Sequence, residues 1–170
     1  IKDHKIRGVY ETSPCFASMI VHYEPDEIKF NDLKKELFSL IESLGPSDEI
    51  EINSRVFSFP TVYLDKWTKE CIEDYSNKIA KKKPDPELIT ELNNLESTDQ
   101  FVRVHSSTEY WVAAIGFWPG LPFMMALDPR CKLTVPKYNP PRTWTPKGTV
   151  GMGGASTCIY PDRLPGGYQI

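Results

Sequence analysis

Two kinds of side chain in this sequence have types and settings that could do chemistry. The first is a histidine. His105 is followed at once by Ser106, Ser107, Thr108 and Glu109. At the end of a strand, an imidazole beside hydroxyls and a carboxylate can be oriented for proton transfer or ligand binding. It is equally well read as a satisfied turn histidine. The second kind is cationic. Arg130, Lys137 and Arg142 each neighbour a proline, at Pro129, Pro136 and Pro141. A rigid turn holds a cation at low entropic cost, which suits a carboxylate ligand, although each alone resembles an ordinary surface charge. Around them lie Ser156 and Cys158, flanking a glycine turn with no histidine nearby in sequence, and the aromatic stretch Phe117–Phe123. That stretch is either a pocket wall or core at a sheet corner. The familiar catalytic signatures are missing: there is no phosphate-binding G-x-x-x-x-G-K-[ST], no H-E-x-x-H and no G-x-S-x-G. Cys158 reads as structural.

The elements that must position these groups fall into two styles. Residues 6–12 and 16–23 read as strands around Ser13-Pro14, with Ala17, Met19, Val21 and Tyr23 on one face. Phe30, Leu33, Leu37, Leu40, Ile41 and Leu44 then repeat at helical spacing, with Asn31 as N-cap and Gly45-Pro46 as stop. Residues 49–59 return to strand. Two strands, a helix and a strand make half of a small α/β sandwich. After a crossing at Pro60–Leu64, a helix over 65–80 carries Trp67, Cys71, Ile72, Tyr75 and Ile79 on one stripe. Lys81-Lys82-Lys83 reads as its solvated end, favoured by the helix dipole, rather than as a nucleic-acid patch, since no aromatics interleave it. Asp85 caps a short helix with Pro86 at its first position. From Phe101 onward the pattern is β, over 101–105, 110–117, 131–135, 148–152, 157–160 and 167–170. Nine of fifteen prolines fall between Pro119 and Pro165, and eight of ten glycines between Gly116 and Gly167. Such punctuation demands short strands joined by shaped turns. The fold class is therefore α+β.

Composition sharpens this. Residues 1–101 carry 13 basic and 20 acidic side chains, while residues 102–170 carry 7 and 3. The glycine- and proline-rich half is thus the basic half, which favours an anionic ligand there. Four cysteines without a C-x-x-C pair suit free thiols in a reducing cytoplasm rather than a zinc site, and no metal is expected. No run is apolar enough for a membrane helix, and no membrane or nucleic-acid partner is expected. The chain opens on Ile1 and stops in Gly-Gly-Tyr-Gln-Ile, which reads as a piece of something longer.

His105–Arg130, HSSTEYWVAAIGFWPGLPFMMALDPR, resembles the H-S-x-x-E-Y-x-V-x-x-x-G-F-x-P-G-F-P-Y-L-x-x-L-D-P-R signature of allophanate hydrolase subunit 1. That family includes the bacterial sporulation kinase inhibitor and a component of the prokaryotic 5-oxoprolinase. Ile159-Tyr160-Pro161, Pro165-Gly166-Gly167-Tyr168 and the N-terminal Gly8–Pro25 continue the likeness. Where the family usually reads G-G-Q-T-G-I-Y-P, Ser156 replaces Gln and Cys158 replaces Gly. Lys137–Pro146, KYNPPRTWTP, and Gly153-Gly154-Ala155 with Cys158 are instead similar to the carboxyltransferase domain of urea carboxylase and urea amidolyase.

The resemblance implies a partial ferredoxin-like α/β subdomain over 1–60 and a cyclophilin-like β-barrel over 61–170. It implies a component of an ATP-dependent urea or amide carboxylase or amidolyase, passing a carboxyl group from carboxybiotin to a urea-like nitrogen. Carboxybiotin would be carried on another domain and ATP used elsewhere. The implied partners are a subunit-2-type carboxyltransferase half, a biotin carrier and a biotin carboxylase domain. Lys137 and Arg142, with Arg130, would bind anion; Gly153 and Gly154 would offer backbone N–H groups; His105 would assist proton transfer; Phe117, Ser156 and Tyr160 would line the substrate. The same likeness leaves two other readings open: a 5-oxoprolinase-like lactam hydrolase component, and a kinase-inhibitor-like binding module without chemistry.

Overall fold

The computed structural model describes residues 5–46 and 53–170 of the chain. It separates into two compact units, Ile1–Pro60 and Thr61–Ile170, and the fold is mixed α/β.

In the first unit, β1 (Val9–Cys15) and β2 (Ser18–Tyr23) form an antiparallel hairpin. The turn lies at Phe16-Ala17 rather than at Ser13-Pro14, and Pro14 sits within β1 opposite Met19. In a two-stranded ribbon every strand is an edge, so a residue without an N–H can be tolerated. Helix α1 (Phe30–Ser43) follows, and it starts earlier than expected: Lys29, not Asn31, is at the cap. Leu33 is buried, whereas Phe30, Ile41 and Leu44 of its apolar stripe are exposed. A single hairpin is too small to cover a full helix face. Of the strand expected over 49–59, residues 49–52 lie outside the described residues, and residues 53–59 are not in a strand.

In the second unit, α2 (Lys66–Lys78) is capped by Asp65, whose carboxylate accepts from Trp67 N and Thr68 N at 2.9 and 3.0 Å. Cys71, Ile72 and Tyr75 point inward, while Trp67 is exposed. Helices α3 (Asp85–Leu92) and α4 (Thr98–Ser106) pack together. Ile89 and Phe101 join Leu133, Val135 and Met152 in one core cluster.

Helix α4 overturns the strand expected over 101–105. Ser97 accepts from Gln100 N at 3.2 Å, and Gln100 Oε1 reaches back to Glu96 N at 2.5 Å. These bonds resemble a capping box. Phe101 and His105, four apart, then share the buried face.

Strands β3 (Tyr110–Ile115), β4 (Pro122–Ala126), β6 (Val150–Gly153) and β7 (Ser156–Ile159) make an antiparallel sheet in the order β3-β4-β7-β6. β5 (Arg142–Thr145) and β8 (Leu164–Gly166) form a separate ribbon. Residues 131–135 contribute only a bridge at Val135, and 167–170 only a bridge at Gln169. No closed barrel forms among the described residues. Strands of three to six residues, interrupted by prolines that donate no ladder bond, divide into short ladders. A second core of Leu121, Cys158, Tyr160, Leu164 and Tyr168 fills the space beside the sheet.

Candidate functional site

His105 lies on α4, not at a strand end, and is 6% exposed. Tyr63 Oη sits 2.6 Å from Nδ1, and Thr157 Oγ1 lies 3.1 Å from Nε2. A neutral ring meets both neighbours, accepting at one nitrogen and donating from the other. Burial pulls its pKa down to about 4. The imidazole is therefore a neutral core linker with both nitrogens engaged.

The sign of its pH effect follows. The unfolded chain takes up a proton near pH 6.5 and the folded chain only near 4, so acid favours unfolding between those values. Stability is full above about pH 6.5 and falls by about 1.4 kcal/mol per pH unit below it, by about 3 kcal/mol in all. Urea midpoints measured from pH 7 to 4.5 are expected to drop steeply in the wild type and less in His105→Gln.

The three expected anion-binding cations part ways. Arg130 is exposed and binds its own neighbour: its Nε and Nη2 donate to the Asp128 carboxylate at 2.7–3.1 Å, and those bonds hold that carboxyl down to about 2. Arg142 is only 2% exposed. Its Nε donates to Thr145 Oγ1 at 3.1 Å and its Nη2 to Tyr168 O at 2.5 Å, while Nη1 lies 3.8 Å from Asp85 Oδ2. Its place is the interior. Lys137 alone of the three is exposed without a carboxylate partner among the described residues; its Nζ sits 5.2 Å from the centre of the Tyr168 ring.

Around Tyr168 several of the expected residues converge. Its phenol lies 2.8 Å from Ser156 Oγ. Ser156 Oγ also donates to the Gly153 carbonyl at 3.0 Å, so Tyr168 is left to donate to Ser156. Burial pushes the phenol's pKa up, and it holds its proton at neutral pH. A Cβ added at Gly153 would sit 2.6 Å from ring carbons of Tyr168. Gly153 is thus the bare surface on which the ring lies. Gly154 offers no free N–H, since it donates to Val135 O at 2.8 Å. Tyr160 is buried, its ring packed near Gly151 and Gly166. Phe117 sits at the tip of the β3–β4 loop, 65% exposed and with φ of 65°. The candidate site is therefore the exposed Lys137 ammonium near the ring of Tyr168, a buried residue whose hydroxyl is linked to the half-buried Ser156. Both hydroxyl protons are spent within the pair, on Ser156 Oγ and the Gly153 carbonyl, so the ammonium is the group left to meet a carboxylate. Among the described residues no group of three or more His, Cys, Asp or Glu is placed to hold a metal.

Gly153→Ala tests the packing. The added methyl must move the Tyr168 ring and break the Ser156 bond, at about 1–3 kcal/mol. Gly154→Ala, with open space around its Cβ but φ of 62°, carries only backbone strain of about 1–2 kcal/mol. Thermal unfolding is expected to rank Gly153→Ala as the more harmful, and only Gly153→Ala to impair the site.

Beneath this surface lies a cluster that the sequence motifs did not single out. Asp85 is fully buried and accepts from Tyr138 Oη at 2.6 and 2.7 Å, from Lys82 Nζ at 2.5 Å and from Ile170 N at 2.7 Å. It does not cap its helix: Pro84 is the cap residue and no side-chain bond is made there. Lys82, expected in solvent, instead spans Asp85 and Gln169 Oε1 and lies 3.5 Å from the centre of the Tyr138 ring. Burial draws its pKa down, with Asp85 opposing.

Comparison with known proteins gives the chain its relatives. A family model described as carboxyltransferase domain, subdomain C and D, matches residues 1–170. The urea amidolyase of Lachancea kluyveri is 31% identical over 172 residues, which cover 98% of this chain and 9% of that protein. A component of the 5-oxoprolinase of Bacillus subtilis is 27% identical over 180 residues, covering all of this chain and 67% of that one. The crystal structure of the urea amidolyase of K. lactis superposes with a TM-score of 0.87 at 28% identity, over 99% of this chain and 10% of that one. The chain thus spans about a tenth of the urea amidolyases it matches.

Proposed function

We propose a carboxyl-transfer role for this chain, which belongs to the family of carboxyltransferase domains, subdomains C and D. It forms one wall of a site in which a carboxyl group passes from carboxybiotin to the nitrogen of urea or a related amide. The observation that carries this reading is the convergence on Tyr168 of Ser156 and of Lys137, the latter in the stretch similar to urea carboxylases. Carboxybiotin, when bound, supplies the carboxyl group. Lys137 pairs with its negative charge, as a preorganised cation does for developing charge, and the Tyr168–Ser156–Gly153 hydrogen-bond chain fixes the ring beside which the ammonium stands. ATP is used on another domain, and a second carboxyltransferase half provides the opposite wall. On this reading unit 1 is part of a ferredoxin-like subdomain, and unit 2 part of a cyclophilin-like one whose barrel is incomplete among the described residues. The four free thiols suit a reducing cytoplasm.

The test is a coupled assay of ATP turnover on the intact gene product with its partners, offering urea, related amides and 5-oxoproline, with and without avidin. Urea-stimulated turnover that avidin blocks supports the proposal. Turnover with 5-oxoproline that ignores avidin would replace it by the second reading, a component of a lactam hydrolase. That reading is favoured by the match of the whole chain to a 5-oxoprolinase component. Turnover with none of them would overturn both and favour a binding module.

A further inference from the structure

We infer that Asp85 is a positioning residue for the Lys137–Tyr168 pair, holding both groups from beneath through one buried carboxylate. This rests on the carboxyl-transfer reading of that pair. Two chain segments bring the pair together, Pro136-Lys137-Tyr138 and Tyr168-Gln169-Ile170. Both are anchored on the same cluster. On the first, Tyr138 Oη donates to both oxygens of Asp85, and Pro136 O accepts from Gln169 Nε2 at 2.6 Å. Lys137 is thus bracketed by a held residue on each side. On the second, Ile170 N donates to Asp85, Lys82 bridges Asp85 to Gln169 Oε1, and Arg142 Nη2 donates to Tyr168 O. A direct tie joins the segments as well, Tyr138 N to Gly167 O at 2.6 Å. A salt-bridged side chain that is fully buried is not the cheapest way to fill a core, and apolar groups of similar volume often stabilise as well or better. What it supplies here is geometry. Its donors come from the residues just before α3, from the Lys137 turn and from the last residue of the chain described, and it orients all of them at once.

Asp85→Asn keeps the shape and removes the charge. In the intact protein with its partners, carboxyl transfer to urea is expected to fall about tenfold or more in kcat, with the urea KM changed less than about threefold. The decisive readout is a double-mutant cycle with Lys137→Ala. If Asp85 acts through the pair, Asp85→Asn lowers the rate little further once Lys137 is gone; independent structural damage would multiply through. Tyr138→Phe keeps every charge of the cluster and removes only the phenol's bonds to Asp85. It is expected to show a smaller loss, again absent in the Lys137→Ala background. Multiplicative losses in both cycles, or full activity in folded Asp85→Asn, overturn the inference and leave the carboxyl-transfer reading standing. Unfolding of both variants also overturns it, assigning Asp85 to stability alone. Full transfer activity in Lys137→Ala would instead remove the reading on which the inference rests.

Discussion

Replacing Arg142 by alanine is expected to destabilise the second unit by about 3–5 kcal/mol. The guanidinium is 2% exposed and stacks 4.4 Å from the centre of the Tyr138 ring. Removing it leaves the Tyr168 carbonyl and Thr145 Oγ1 without their donor, and each buried polar group left unsatisfied costs about 1–3 kcal/mol. It also opens a cavity under β5 and leaves Asp85 with one cation, Lys82, in place of two. Domains of this size are stable by only about 5–15 kcal/mol, so the loss is a large share of the whole. Arg142→Lys keeps the charge but cannot reach Thr145 and Tyr168 together with a fork, so an intermediate loss is expected. Urea unfolding followed by circular dichroism checks both. A change below about 1 kcal/mol for Arg142→Ala would mean that the ion cluster does not hold this core together.

That prediction turns on residues whose place the sequence concealed. Arg142 and Lys82 carry no mark that distinguishes a buried cation from a surface one, because burial depends on what the rest of the chain brings to them. Asp85-Pro86 has the look of a helix start, and a helix does start there, yet the carboxylate turns inward to the Lys137 turn and the C-terminal residues, more than fifty positions away. Local pattern cannot report a partner at that separation. Helix α4 is a different case. Alternating Phe101, Arg103 and His105 with valines between them fits a strand's period over five residues, too few to separate it from a helix. The signal that could have decided it was Ser97 three residues before Gln100, a capping-box spacing. What was legible lay in the glycine turn and its motif neighbours. The glycine pair before Ser156 turns the β6–β7 hairpin, and Lys137 and Ser156 both approach Tyr168, the first at its ring and the second at its hydroxyl. His105 was legible as a special residue but not in its setting, since both of its hydrogen-bond partners lie over forty residues away.

Lys137→Ala is expected to show the opposite signature to Arg142→Ala: little change in stability and a loss of carboxyl transfer of about 100-fold. The ammonium is exposed and bonds no carboxylate among the described residues, so its removal forfeits only a solvent-screened contact with the Tyr168 ring. Stability should move by about 0.5 kcal/mol or less. For the reaction the same group stands differently. A preorganised donor aimed where charge develops contributes about 2.7–4 kcal/mol once water is excluded, which corresponds to about 10²–10³ in rate. A second carboxyltransferase half closing over this surface supplies that exclusion. Lys137→Arg retains a cation there and is expected to keep a measurable part of the activity, whereas Lys137→Met, similar in length but uncharged, should behave like alanine. Single-turnover transfer to urea on the intact protein, set beside thermal unfolding of the same variants, reads both quantities. Equal loss in Lys137→Arg and Lys137→Met would point to shape rather than charge at this position. Full activity in all three would take the carboxylate-binding role away from Lys137 and from the expected cations altogether, because Arg130 is already committed to Asp128 and Arg142 is sealed in the core.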